Sequence, residues 1–115
     1  MIDQVRPAAL DDWFRQAAAE AAGAPVVLDV REPAEWQAAS VQGDGFSVLR
    51  ISMREVPQRL AELDPAQPIA CLCHHGARSQ QVAGFLRNQG FEHVANIAGG
   101  IDAWAIERDG GVPRY

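Results

Sequence analysis

Residues 68–79 read Pro-Ile-Ala-Cys-Leu-Cys-His-His-Gly-Ala-Arg-Ser, and this stretch gives the clearest indication of the fold class. Its first half, residues 68–73, has the nearly continuous hydrophobicity of a strand that is covered on both faces. A short polar loop with Gly76 follows. Residues 79–89 then carry apolar side chains at helical spacing and stop before Gly90, a residue suited to ending a helix. The stretch therefore predicts a buried strand, a tight loop and a helix in direct succession.

Segments of the same two kinds alternate along the rest of the chain. Alternation of buried strands and helices predicts an α/β fold with a mostly parallel sheet. In such a sheet, functional side chains gather in the loops at the carboxyl ends of the strands, which is where Cys73 lies. The further predicted strands are residues 25–30, 46–51 and 93–98, and the further predicted helices are residues 10–22, 31–39, 54–63 and 101–108.

The composition limits the classes of function. A chain of 115 residues fits one domain over residues 1–115, and 48% hydrophobic with 22% charged residues is a globular balance that excludes disorder. Ten arginines and no lysine face fifteen acidic residues, which gives a net charge of −5. Such a chain without a basic stripe is a poor candidate for binding nucleic acid.

The two cysteines, Cys71 and Cys73, are separated by one residue. A disulfide cannot easily bridge that spacing, so both thiols should be reduced. The sequence also has no apolar run suited to a signal peptide or a membrane span. We therefore expect a cytoplasmic monomer that does not bind membranes.

Cys73 is the candidate nucleophile because it begins the loop between the buried strand and the helix. Free backbone N–H groups and the helix dipole at that point favour an anion, and so favour the thiolate form of a cysteine. Gly76 allows the tight curl of the backbone. Arg78 would be unfavourable for the helix dipole as a mere surface cation, which suggests that it binds an anion. Cys71, inside the strand, should be an inert core residue.

Residues 73–79 resemble the active-site loop of single-domain rhodanese-type sulfurtransferases, which has the pattern Cys-x-x-Gly-x-Arg-Ser/Thr. Residues 28–36, Leu-Asp-Val-Arg-Glu-Pro-Ala-Glu-Trp, resemble the first signature of that family. Residues 90–91 and 96–104, which include Ala-Gly-Gly-Ile-Asp-Ala-Trp, resemble its last signature. The three signatures stand in the family's order. Residues 40–46 keep glycines but lack the histidine usual in the family there, which leaves the sulfur acceptor open.

The resemblance implies a three-layer fold with a mostly parallel, five-stranded sheet and helices on both faces. It implies sulfur transfer through a persulfide on Cys73, from thiosulfate or a persulfide donor to a thiol, cyanide or a sulfur-carrier protein, with no metal or cofactor. The predicted substrate-binding residues are His74, His75, Gly76, Ala77, Arg78 and Ser79. From the residues themselves, Asp29 and Arg31 are interpreted as a supporting ion pair, Ser79 could equally be a helix N-cap, and one histidine should form a pocket wall while the other is exposed.

Three other functions compete with sulfur transfer. A metal site could use Cys71, Cys73, His74 and His75, but four neighbouring ligands at one strand end cannot surround a tetrahedral ion. A cysteine-loop phosphatase requires His-Cys, five residues and Arg, whereas here Leu72 precedes the cysteine and only residues 74–77 separate it from Arg78. A non-catalytic, rhodanese-like binding or regulatory module is the third possibility, and the complete loop argues against it.

Overall fold

The structure is a computed structural model that describes residues 2–21 and 23–115. Its centre is a sheet of five strands, which are β1 (Asp3–Val5), β2 (Val26–Asp29), β3 (Ser47–Arg50), β4 (Ile69–Leu72) and β5 (Val94–Ile97). The strands lie in the order β1-β5-β4-β2-β3, with every neighbouring pair parallel. Because the strands are parallel, the carboxyl ends of β2, β4 and β5 lie at the same edge of the sheet.

Helices cover both faces of this sheet, as the sequence predicts. The helices are α1 (Leu10–Ala18), α2 (Pro33–Ala38), α3 (Ala77–Asn88) and α4 (Gly100–Glu107). On one face, Phe14 of α1 and Trp104 of α4 belong to a core cluster with Val27. On the other face, Leu86 of α3 packs in a second cluster with Leu28. Adjacent residues of β2 thus serve opposite cores, which explains why the buried strands are apolar throughout.

The predicted helix over residues 54–63 is wrong. Residues Met53–Glu55 and Leu60–Glu62 form two separate 3₁₀ turns instead. Pro57 lies between them, and it has no N–H to donate and its ring would clash with the carbonyl four residues earlier in a continuous helix. The spacing of apolar residues there reflects packing, because Val56 and Leu63 are buried in the second cluster, against the face of the sheet that α3 covers.

The ends of several elements also differ from the prediction. Strand β1 has only three residues, two of them exposed, so no apolar pattern marks it in the sequence. Helix α1 ends at Ala18, earlier than expected, and the predicted end at Ala22 lies outside the described residues. Helix α3 begins at Ala77 rather than Ser79. Over residues 2–21 and 23–115, no helix combines the length and the apolar character needed to cross a bilayer.

Candidate active site

The loop of residues 73–76 rests on the first turn of α4. The backbone N–H of Ile101 donates to the Cys73 carbonyl at 2.9 Å, and the N–H of Asp102 donates to the His74 carbonyl at 3.2 Å. A Cβ atom on Gly100 would lie 2.5 Å from the Cys73 carbonyl oxygen. Only a residue without a side chain therefore lets the loop and α4 approach this closely.

The Cys73 sulfur lies at the carboxyl end of β4, just before α3, as predicted. The backbone N–H of Gly76 donates to Cys73 Sγ at 3.0 Å, and Ser79 Oγ lies 3.2 Å from the same sulfur. Gly76 has φ +112°, a conformation that other residues adopt only with strain. Cys73 is 1% exposed. A sulfur anion here is stabilised by the Gly76 N–H and by the start of a twelve-residue helix.

Ser79 is not the N-cap of α3, so that alternative is wrong. The N-cap is Gly76, and Ser79 lies inside the first turn with its side chain fully buried. Its Oγ contacts Asn96 Oδ1 at 2.5 Å as well as Cys73 Sγ. Asn96 in turn donates from Nδ2 to Gln4 Oε1 at 2.9 Å. Sequence analysis did not single out Asn96, although a polar residue inside the apolar pattern of β5 was a signal.

Arg78 is engaged by a partner that sequence analysis also missed. Its two terminal nitrogens donate to the two carboxylate oxygens of Glu35, at 2.6 and 2.8 Å. The pKa of Arg78 is raised, first by these hydrogen bonds, and the charges of Glu35 and Cys73 add to the effect. Glu35 therefore relieves the unfavourable placement of a cation at a helix start. Contact between Arg78 and a sulfur donor stays a prediction.

The two loop histidines form an aromatic stack with Tyr115. The ring centroids of His74 and His75 are 3.9 Å apart, and those of His74 and Tyr115 are 4.0 Å apart. His74 is half-buried, with Nε2 buried and unpartnered, while His75 and Ala77 are exposed. His75 thus faces solvent, as expected for one of the two, and the role of His74 as a pocket wall stays a prediction.

The structure brings together a different set of metal-ligating groups from the one considered in the sequence. Within the part of the chain that the structure describes, His74, His75 and Asp102 place ligand atoms within 4.8 Å of one another, and neither cysteine joins them. The lone pairs of an imidazole lie in its ring plane, and these two stacked rings are only 23° from parallel. The nitrogen lone pairs of His74 and His75 therefore do not point at one common ion. Asp102 is also bound by Arg114, at 2.8 and 3.2 Å.

The predicted ion pair between Asp29 and Arg31 is confirmed, and it is fully buried. Arg31 Nε and Nη2 donate to the Asp29 carboxylate at 2.9 and 2.7 Å. Arg31 also donates to the carbonyl oxygens of Glu35 and Ala39 and to the Tyr115 hydroxyl. One guanidinium thus connects the end of β2 to Glu35 inside α2, to Ala39 just after that helix and to Tyr115. That this pair supports the active site stays a prediction.

Cys71 differs from Cys73 in its position in the sheet and in the groups around its sulfur. It lies inside β4 and is fully buried. Burial, with a smaller contribution from the charge of Cys73, raises the pKa of the Cys71 thiol far above its ordinary value. A cysteine that stays protonated and inaccessible is a poor nucleophile.

Comparison with known sequences identifies the family. The chain matches the sequence model of the Rhodanese-like domain over residues 11–107, most of its length. It belongs to the rhodanese-like domain family. The resemblance seen in the three sequence signatures is thereby confirmed.

Relatives of this rhodanese-like chain include named sulfurtransferases. Thiosulfate sulfurtransferase GlpE of Vibrio cholerae is 38% identical over 78 residues, which cover 68% of this chain and 70% of that protein. A sulfurtransferase of Allochromatium vinosum is 36% identical over 80 residues, covering 70% of this chain and 71% of that protein. The chloroplastic rhodanese-like/PpiC domain-containing protein 12 of Arabidopsis thaliana is 40% identical over 89 residues. That match covers 77% of this chain but only 30% of the Arabidopsis protein.

Solved structures confirm the rhodanese-like fold. A rhodanese-related protein of Thermoplasma volcanium superposes with a TM-score of 0.75 at 26% identity, covering 98% of this chain and 99% of that one. A rhodanese-like domain protein of Staphylococcus aureus gives a TM-score of 0.70 at 22% identity, covering 99% of both chains. The parallel five-stranded sheet with helices on both faces is therefore the family fold.

Proposed function

We propose that this rhodanese-like domain is a sulfurtransferase that carries sulfur as a persulfide on Cys73. The observation that carries the proposal is the setting of one sulfur atom. Cys73 Sγ lies at the end of β4, accepts from the Gly76 N–H and contacts Ser79 Oγ, beside the N-terminus of α3. The relatives named as sulfurtransferases support it.

The proposed reaction has two nucleophilic steps that balance without an outside oxidant or reductant. The Cys73 thiolate attacks the outer sulfur of thiosulfate, the sulfur–sulfur bond breaks, and sulfite leaves with the bonding electron pair. With a persulfide donor, a thiolate leaves instead. Cyanide, a thiol or a sulfur-carrier protein then attacks the terminal sulfur of the Cys73 persulfide. That second cleavage regenerates the Cys73 thiolate.

The surrounding groups would act on the anionic sulfur without any metal or cofactor. The Gly76 N–H is oriented toward the atom on which charge develops, which is the arrangement that lowers the energy of an anion, and the Ser79 hydroxyl lies 3.2 Å from the same atom. His74, His75 and Ala77 line the same loop and would contact the donor or acceptor. Neither histidine is assigned the role of a base, because the groups that contact the Cys73 sulfur are the Gly76 N–H and Ser79 Oγ.

Intact-mass spectrometry after mixing the protein with thiosulfate tests the proposal. Wild type and Cys71→Ser should each gain the mass of one sulfur atom, and cyanide should remove it. Cys73→Ser should gain none. A sulfur adduct on Cys73→Ser would contradict the assignment, and a folded wild type that gains no sulfur from thiosulfate or from a persulfide would favour a binding module.

The phosphatase alternative is tested with the same protein. With only residues 74–77 between Cys73 and Arg78, the loop is one residue shorter than a phosphatase loop and should make a smaller cradle. We expect transfer of sulfur from thiosulfate to cyanide and no hydrolysis of an aryl phosphate. Cys73-dependent phosphate hydrolysis without sulfur transfer would favour a phosphatase over a sulfurtransferase.

A further inference from the structure

The carboxylate of Glu35 is held in place from three directions beside the candidate active site. Its Oε1 accepts from the Glu32 N–H at 3.1 Å and from Arg78 Nη1 at 2.6 Å. Its Oε2 accepts from Arg78 Nη2 at 2.8 Å and from the Tyr115 hydroxyl at 2.7 Å. Four hydrogen bonds fix the carboxylate, so it cannot turn away from Arg78 without losing several of them.

The cations around the loop are already matched by carboxylates. Arg31 is paired with buried Asp29, and Arg114 with Asp102. Arg78 is the cation on the first turn of α3, and both of its terminal nitrogens are used by Glu35. A donor that carries two negative charges would therefore meet a neutralised guanidinium rather than a free one.

The two classes of sulfur donor differ in what they require from this pocket. Thiosulfate is a dianion, and its sulfonate oxygens need N–H or O–H donors and positive charge. A small-molecule persulfide carries at most one negative charge on the transferred sulfur. The Gly76 N–H and Ser79 Oγ, which contact Cys73 Sγ, could contact that sulfur atom as well. A fixed carboxylate beside the loop therefore penalises thiosulfate more than a persulfide.

We infer that Glu35 is a specificity-determining residue, which neutralises Arg78 and so makes the site prefer persulfide donors over thiosulfate. This inference rests on the proposed sulfurtransferase function. Glu35 would act through charge and not by touching the reacting atoms. Arg78 would then be the residue through which the preference is set.

The wild type and three variants form a closed test of this inference. The measured quantity is the ratio of the persulfidation rate of Cys73 with thiosulfate to that with a cysteine-derived persulfide, both followed by intact mass. Glu35→Gln keeps the shape of the side chain but frees the charge of Arg78, and should raise the ratio about tenfold. Arg78→Ala leaves Glu35 as an unpaired anion and should lower the ratio. The double variant should return it close to the wild-type value.

Two controls separate charge from structure. Glu62→Gln breaks a similar two-bond pair with Arg59 on the exposed surface and should leave the ratio unchanged. The gain in Glu35→Gln should shrink as salt is raised, because added ions screen the freed charge. A loss of shape would not respond to salt in this way.

The outcomes distinguish this inference from the proposed function. If the wild type accepts sulfur from both donors and Glu35→Gln changes both rates equally, Glu35 has only a structural role and the inference is overturned. If neither the folded wild type nor Glu35→Gln accepts sulfur from any donor, the proposed function fails and the inference falls with it. A raised ratio that disappears in the double variant supports the inference.

Discussion

Ser79 Oγ lies 2.5 Å from Asn96 Oδ1, inside the protein and next to the candidate nucleophile. An amide oxygen can only accept, so the hydroxyl must donate its single proton across this contact. The same hydroxyl lies 3.2 Å from Cys73 Sγ. A thiolate on Cys73 would compete with Asn96 for that proton. Ser79 thus connects Asn96 of β5 to the Cys73 sulfur.

Ser79→Ala should slow the alkylation of Cys73 by iodoacetamide about tenfold at neutral pH. A hydrogen bond to a charged group contributes about 1.5–3 kcal/mol, and the variant loses the one that Ser79 Oγ could make to an anionic Cys73 sulfur. The rate is measured by mass spectrometry, which also shows that the adduct is on Cys73. Ser47→Ala, at an exposed position on β3, is the control. An unchanged rate in Ser79→Ala would show that the hydroxyl does not stabilise the Cys73 sulfur.

Removing one partner of the buried Asp29–Arg31 pair should destabilise the fold. Arg31→Met leaves the Asp29 carboxylate buried without its cation, and such a loss costs about 3–5 kcal/mol. Urea denaturation of the variant measures the free energy of unfolding. The double variant Asp29→Leu/Arg31→Met, which leaves no unpaired charge, should recover part of the stability. A double variant as unstable as the sum of the single ones would mean that the two charges act independently.

The Glu35–Arg78 pair should contribute a pH-dependent part of the stability. Hydrogen bonds from Arg78, opposed by partial burial, lower the pKa of Glu35 from 4.5 to about 2. A carboxyl with a lowered pKa contributes stability that is complete above pH 4.5 and is lost as the pH falls toward 2. The stability difference between wild type and Glu35→Gln should therefore shrink over that interval, by at most about 1.4 kcal/mol per pH unit.

Glu62→Gln is the matched control for this pH dependence. Glu62 also makes two hydrogen bonds to an arginine, but its pair with Arg59 is exposed to solvent. Exposed ion pairs contribute little, so its pH-dependent difference should be the smaller one. Equal differences for the two glutamates would show that Tyr115 and Glu32 add nothing to the pair at Glu35.

Gly100→Ala should displace the loop and abolish the sulfur adduct on Cys73. Its Cβ would lie 2.5 Å from the Cys73 carbonyl oxygen, and φ +60° is strained for alanine. Gly84→Ala, inside α3 with no atom within 4 Å of the new Cβ, is the control and should be stabilising by about 0.5–1 kcal/mol. Thermal unfolding and intact mass report on both. A Gly100→Ala variant with full sulfur loading would show that the loop does not depend on its seat on α4.

The linear order of residues was sufficient for most of the elements and for the position of the candidate nucleophile. Runs of buried apolar residues predict β2, β4 and β5, because a strand covered on both faces leaves a pattern along the chain. Cys73 is predicted from its place between such a run and a helix. The buried pair of Asp29 with Arg31 is also local, since only one residue separates them. Such features depend on neighbours in sequence.

The long-range contacts around the sulfur and its loop could be seen only in the tertiary structure. Glu35 meets Arg78, Asn96 meets Ser79, and Tyr115 stacks on His74, and each pair joins segments far apart in the chain. Strand β1 is likewise visible only through its pairing with β5, because three mostly exposed residues carry no pattern. Contacts of this kind arise when the parallel sheet brings the ends of separate strands to one edge. Their partners are therefore chosen by packing and not by the local sequence.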